Sequence, residues 1–154
     1  MTIAFEGFHL AEVNLAKARH EMDDPRMAGF VDNLDRINTL GDESPGWVWR
    51  YQDDSGAAID TQVFDDSLMF INLTVWESIE DLRAFTVEGE HVGFLRRRLE
   101  WFDRIPALPM LTMWWLPAGM LPTLDDVVDR VHHLRDHGPT SYAFTFKDHF
   151  PPEG

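Results

Sequence analysis

The chain has no cysteine. That excludes disulfides, thiolate metal sites and a cysteine nucleophile, and it points to a reducing cytoplasm. Basic residues are scarce: 13 Lys and Arg stand against 27 Asp and Glu, a formal net charge of −14. A chain this acidic repels phosphate backbones and anionic bilayers, so neither nucleic acid nor a membrane surface is an expected partner. There are five serines, none in the setting of a nucleophile. No phosphate loop, dinucleotide fingerprint or nucleophile elbow is found, so no nucleotide cofactor is expected. No apolar run approaches the roughly 20 residues of a membrane span, and the start of the chain lacks the basic region of a signal peptide.

What is abundant is apolar and aromatic. Of 154 residues, 44% are hydrophobic, and there are six Trp and eleven Phe. The length fits one domain over residues 1–154, with a loose tail from about 147. The aromatic content exceeds the needs of a small core, so part of it is expected at a ligand site or a subunit interface.

The organising stretch is residues 68–102, LMFINLTVWESIEDLRAFTVEGEHVGFLRRRLEWF. Alternation predicts a strand over 68–76, with Met69, Ile71, Leu73 and Val75 on an apolar face. Phe70, Asn72, Thr74 and Trp76 form the other face, which mixes aromatic and polar groups. Ser78 caps a helix from Ile79, with Asp81 placed to answer it. Gly89 separates this helix from a second over 90–103. Earlier, residues 9–16 alternate as a strand, with His9, Ala11, Val13 and Leu15 opposed to Leu10, Glu12 and Asn14. Asp24 and Pro25 open an amphipathic helix over 25–40, which Gly41 ends. A second strand covers 47–52, with Trp47, Trp49 and Tyr51 on one face, and 57–66 is a polar loop or weak hairpin arm. Later, 110–116 is a strand, and Thr123 with Asp126 caps a helix whose stripe is Leu124, Val127, Val128, Val131 and Leu134. Residues 142–146 are a candidate edge strand.

Two strand–helix–strand halves follow, with Asn14 and Asn72 at matching places. They predict an α+β fold, a ferredoxin-like split βαβ sheet with helices on one face. The bare second face, rich in Trp and Phe, would need covering, and a homodimer is the simplest cover.

Two ionisable groups, His91 and Arg98, fall inside the apolar arc of the 90–103 helix, which Phe94 and Trp101 extend. Two readings stand. In one, His91 is a general acid/base or cofactor ligand and Arg98 an anion clamp. In the other, His91 is a hydrogen-bonded core residue and Arg98 is paired to a carboxylate such as Glu12. Glu12, Asn14, Asn72, Thr74 and Trp76 share the mixed faces of two central strands, on the side of the sheet expected to be free of helices, as a ligand cavity or a wet dimer interface would require. His9 is a lesser pocket candidate. His133 and His137 stand one helical turn apart, but two histidines leave a tetrahedral metal site short, so no metal is expected.

The residues Val75-Trp76-Glu77-Ser78, Leu82-x-x-Phe85, His91, Arg96-Arg97-Arg98, Glu100-Trp101-Phe102 and Trp114-Trp115-x-Pro117-Ala118-Gly119 add a further signal. With His9-Leu10-Ala11-Glu12-x-Asn14, they resemble an uncharacterised bacterial family, domain of unknown function 3291, over nearly the whole chain. That family is similar to the dimeric α+β barrels, which include antibiotic-biosynthesis monooxygenases, haem-degrading oxygenases and chlorite-dismutase-like haem proteins. The resemblance implies a dimeric barrel. It also implies that Asn14, Asn72, Trp76 and Arg98 match by type a cofactor-free site oxidising electron-rich aromatics. Haem-binding members would make His91 an axial ligand.

The expected function is a small-molecule enzyme of oxidative or rearrangement type acting on a hydrophobic, aromatic substrate without nucleotide cofactor. In it His91 moves a proton, Arg98 and Asn72 hold a developing oxyanion, and Asn14 orients substrate. Glu12, Phe70, Thr74, Trp76, Phe94 and Trp101 line the pocket. The alternatives are a haem-binding barrel and a non-enzymatic ligand-binding or structural dimer.

Overall fold

In the computed structural model the described residues are 4–21, 23–52, 69–87, 97, 100–103 and 108–152. The expected hairpin arm at 57–66, the break at Gly89, and His91, Phe94, Arg96 and Arg98 lie outside them.

Strand β1 is Phe8–Ala18. A one-turn 3-10 helix, Pro25–Met27, leads into α1, Ala28–Asp42. Asp24 begins it, accepting a hydrogen bond from the Arg26 backbone N–H at 2.8 Å, and Pro25 needs no donor at that position. Gly41 does not end α1. It lies inside the last turn, buried, where a Cβ would sit 3.5 Å from the Phe85 ring. Ser44 closes the end, its hydroxyl donating to the Leu40 carbonyl at 2.6 Å.

Strand β2 is Trp47–Arg50 and β3 is Met69–Trp76. Helix α2, Ile79–Val87, is capped as its sequence predicts. The Asp81 N–H donates to Ser78 Oγ at 3.1 Å, and Ser78 Oγ donates to the Asp81 carboxylate at 2.8 Å. Gly46 has φ +78°, and any side chain there would run into Asp81, so the turn into β2 requires glycine. Strand β4 is the two-residue Phe102–Asp103, β5 is Leu111–Pro117, and α3 is Leu124–His137. Thr123 and Asp126 form the full reciprocal capping box at the start of α3.

The sheet is antiparallel and runs β2-β3-β1, with β4 and β5 both paired to the far side of β1. This is the split βαβ order, so the α+β, ferredoxin-like expectation is met. Helices α1 and α2 pack on one face, against Leu10, Ala18, Phe70 and Trp76.

Three details differ from the sequence reading. First, α3 lies on the other face, where Val127 and Val131 pack on Ala11, Val13, Leu15, Ile71, Leu73 and Val75. Those six strand residues are at most 2% exposed in a single chain. The mixed, aromatic face expected to be bare lies instead under α1 and α2, so both faces of the sheet are covered within one chain and that reason for a second subunit is removed. Second, a bulge in β2 shifts register between Trp47 and Trp49: Trp47 faces Trp76 and Trp49 faces Val75. The two indoles leave on opposite faces although they are two residues apart, because the extra residue cancels the alternation. Third, Phe102 and Asp103 are not helical. They pair with Ala18 and Lys17 of β1.

Phe144 makes a single bridge to Met113, a weaker form of the expected edge strand. Beyond it, the Trp115 indole donates to the Phe150 carbonyl at 2.7 Å. Among the described residues no helix is long and apolar enough to cross a membrane.

Candidate functional site

The face of β1 under α1 and α2 carries Leu10, Glu12, Asn14 and Ala16, because side chains alternate along a strand. The antiparallel register sets each beside a residue of β3: Leu10 by Trp76, Glu12 by Thr74, Asn14 by Asn72 and Ala16 by Phe70. On the other flank Leu10, Glu12 and Asn14 meet Trp115, Met113 and Leu111 of β5. Two polar pairs thus sit in the middle of an apolar face.

Aromatic rings close both ends of the row. At one end Trp76 lies between Trp47, edge-on at 5.6 Å, and Phe85 at 5.3 Å. At the other, Phe30 of α1 meets Phe70 at 5.3 Å, Phe102 at 4.8 Å and Trp101 at 5.8 Å. Gly29 permits this approach, since a Cβ there would be 3.2 Å from the Trp101 ring.

Glu12 is the centre. It is 1% exposed, and it is the one buried ionisable side chain among the described residues. Its Oε2 accepts from the Thr74 hydroxyl at 2.6 Å, and its Oε1 accepts from Asn14 Nδ2. Thr74 in turn accepts from the Trp76 indole N–H at 2.9 Å. No cation pairs with the carboxyl among the described residues. Burial pushes the Glu12 carboxyl up to about 8, and the bonds from Thr74 and Asn14 offset only part of that rise. A group poised there exchanges a proton near neutral pH, which carboxylates in water do not.

The structure therefore gathers Glu12, Asn14, Asn72, Thr74, Trp76 and Phe70 on one face, with Trp101 at its end. Trp76 and Thr74 are 0% and 6% exposed, so they support the site from behind. Asn14, Asn72 and Phe70 are half-buried and are the members open to a ligand. His91, Arg98 and Phe94 lie outside the described residues.

His9 falls on the opposite face, beside Leu116, with its Nδ1 buried and no hydrogen-bond partner among the described residues. His133 bonds the Thr140 hydroxyl at 2.9 Å, and among the described residues no metal-binding group of three is found. Trp114 and Trp115 are core residues.

What sequence reasoning missed is the weight on Glu12. The sequence makes it a lining residue or a partner for Arg98. The available signal was a lone carboxylate between Ala11 and Val13, two fully buried positions.

No curated protein matches. Three solved structures are similar. A candidate antibiotic biosynthesis monooxygenase from Nitrosomonas europaea is 14% identical with a TM-score of 0.48, over 79% of this chain and 99% of that one. SnoaB, a cofactor-independent oxygenase from Streptomyces nogalater, is 14% identical with a TM-score of 0.45, over 75% and 98%. NE2512, a Nitrosomonas europaea protein of unknown function, is 11% identical with a TM-score of 0.47, over 77% and 99%. The family model for the domain of unknown function DUF3291 matches residues 9–154, nearly the whole chain, and this protein belongs to that family.

Proposed function

We propose that this chain is a small-molecule enzyme of oxidative, monooxygenase-like or rearrangement type, acting on a hydrophobic aromatic substrate without a nucleotide cofactor. The observation that carries the reading is the buried Glu12 carboxyl, uncompensated by a cation among the described residues, beside the opposed amides of Asn14 and Asn72 in a row that aromatic rings close at both ends. Purely structural cores rarely keep an ionisable group in that state, because burying it costs free energy that an apolar residue would not.

The substrate class follows from the lining. Phe70, with Phe30 and Trp101 behind it, offers ring faces and edges to an aromatic body. Asn14 and Asn72 are directly opposed and offer amide donors and acceptors to a ring hydroxyl. Ionised Glu12 takes the proton of that hydroxyl, and the electron-rich oxyanion left behind is held by the Asn72 amide. In the oxidative form, dioxygen is the oxidant: the ring carbon that is CH2 in the keto tautomer of the hydroxylated ring becomes C=O, one oxygen atom enters the product and the other leaves as water with the two hydrogens. His91 and Arg98 remain proposed members of the site, as a second proton carrier and an oxyanion clamp.

The test is a panel of naphthols, hydroquinones and hydroxylated polycyclic aromatics, followed by tryptophan quenching, oxygen uptake and product mass. Saturable quenching with a protein-dependent product is expected, with the product lost in Glu12→Gln while quenching persists. Panel-wide absence of both binding and product overturns the reading. The resemblance to dimeric barrels further supports a homodimer, and the lack of cysteine supports a cytoplasmic setting. Sedimentation at the monomer mass would remove the homodimer.

A further inference from the structure

The hydrogen bonds around Glu12 have a direction. An indole N–H can only donate, so Trp76 occupies a lone pair of Thr74 Oγ1. The single hydroxyl proton of Thr74 then has one acceptor among the described residues, Glu12 Oε2 at 2.6 Å. If the carboxyl proton sat on Oε2, Thr74 would receive two hydrogen bonds and its own buried proton would have no acceptor. Native interiors avoid that arrangement. Oε2 is therefore held as the carbonyl oxygen, and the exchangeable proton belongs on Oε1.

Oε1 faces Asn14. An asparagine side chain has a donor end and an acceptor end. Beside ionised Glu12 it turns its NH2 to Oε1, as observed, and leaves Oδ1 facing away. Beside protonated Glu12 the O–H needs an acceptor, so Oδ1 turns inward and NH2 faces away. No other ionisable group competes among the described residues. On this face α1 contributes Phe30 and Leu34, α2 contributes Ile79 and Leu82, and β5 contributes Met113 and Trp115, none of them ionisable.

We propose that Trp76 and Thr74 hold the exchangeable proton of Glu12 on Oε1, so that Asn14 turns its amide with the charge of Glu12 and offers an aromatic hydroxyl ligand the complementary end. With Glu12 ionised, the outward Oδ1 accepts from a neutral ligand hydroxyl. With Glu12 protonated, the outward NH2 donates to a ligand oxyanion. The site thereby holds one proton shared between acid and ligand. When it moves, the ligand O–H bond breaks with its electron pair left on the ligand oxygen, and an O–H bond forms at Oε1. Asn14 is a positioning residue in this scheme. The ligand class rests on the reading above, whereas the proton placement does not.

The experiment is infrared difference spectroscopy of the ligand-free full chain across the titration of Glu12, with the carboxyl C=O band assigned by its loss in Glu12→Gln. Thr74→Val removes the bond to the carbonyl oxygen and is expected to raise that band clearly. Asn14→Leu removes only the acceptor of the O–H and is expected to move it less. Thr74→Ser keeps the hydroxyl and is expected to keep the band in place. A larger shift in Asn14→Leu than in Thr74→Val overturns the proposal, as does a Thr74→Ser band displaced as far as that of Thr74→Val. Absence of any band lost in Glu12→Gln overturns it too. Because no substrate is used, these outcomes are independent of whether the chain turns one over.

Discussion

Val13 and Glu12 are neighbours in β1, 0% and 1% exposed, and they bury opposite faces of the same strand. On the Val13 face every fully buried neighbour in β1 and β3 is apolar, and α3 closes over it. On the Glu12 face, under α1 and α2, the buried positions include a carboxyl and a hydroxyl, with two half-buried amides beside them. The first face is what a small sheet needs for stability. The second is less stable than an apolar version of itself, which is the usual mark of a site rather than of a core.

The largest way to break this comparison is Glu12→Gln, read as stability against pH. The Glu12 pKa rises from 4.5 to about 8 on folding, so the folded chain binds more protons than the unfolded one within that window. The stabilisation from protonation is full below about pH 4.5, declines as pH rises, and is gone above about pH 8. The linkage is on the order of 5 kcal/mol at about 1.36 kcal/mol per pKa unit. Denaturant midpoints measured from pH 4.5 to 8.5 should therefore fall more steeply in the wild type than in Glu12→Gln. Parallel curves would show that both faces are inert to pH.

Next in size is Leu73→Ala, on the apolar face. A buried leucine truncated in this way costs about 2–5 kcal/mol. Chemical denaturation should show that loss unchanged across the same pH range, since the buried residues of its cluster are all apolar. A pH-dependent loss would mean the two faces are coupled through the strand.

Thr74→Val should cost about 1–3 kcal/mol, because it leaves the Trp76 N–H and Glu12 Oε2 each without a buried partner. It should also raise the Glu12 titration further, since the Thr74 bond lowers it. A titration moving downward would put the Thr74 proton elsewhere. Smallest is Thr123→Ala, expected to cost about 1 kcal/mol by uncapping α3, with no effect on Glu12. Thermal unfolding checks the loss, and any change in the titration would link α3 to the site.

Much of this fold could be read before any coordinates. Strong alternation gave β1 and β3, and the short polar signals at Asp24, Ser78 and Thr123 marked helix starts within a residue, because capping is local chemistry. What stayed hidden depends on pairing across distance. The bulge that separates Trp47 from Trp49 is set by the register against β3, not by any residue of β2 alone. The face chosen by α3 is a matter of chain crossing, and an amphipathic stripe fits either side. Phe102 prolonged a helical arc in sequence, yet its backbone joins β1.

The site shows the same division. Strand parity alone brings Glu12, Asn14, Asn72, Thr74 and Trp76 onto one face, but the sequence sets that face away from the helices, whereas α1 and α2 cover it. The donors on the carboxyl were not foreseen, since a carboxylate suggests a cation and the structure supplies a hydroxyl and an amide.

The most direct measurement is a carbon-13 NMR titration of glutamate-labelled protein, with the Glu12 carboxyl assigned by its absence in Glu12→Gln. A resonance that titrates near pH 8, far above the other glutamates, is the expected result. A Glu12 resonance that titrates below pH 5 with the rest would contradict the claim that this face of the sheet stores a proton.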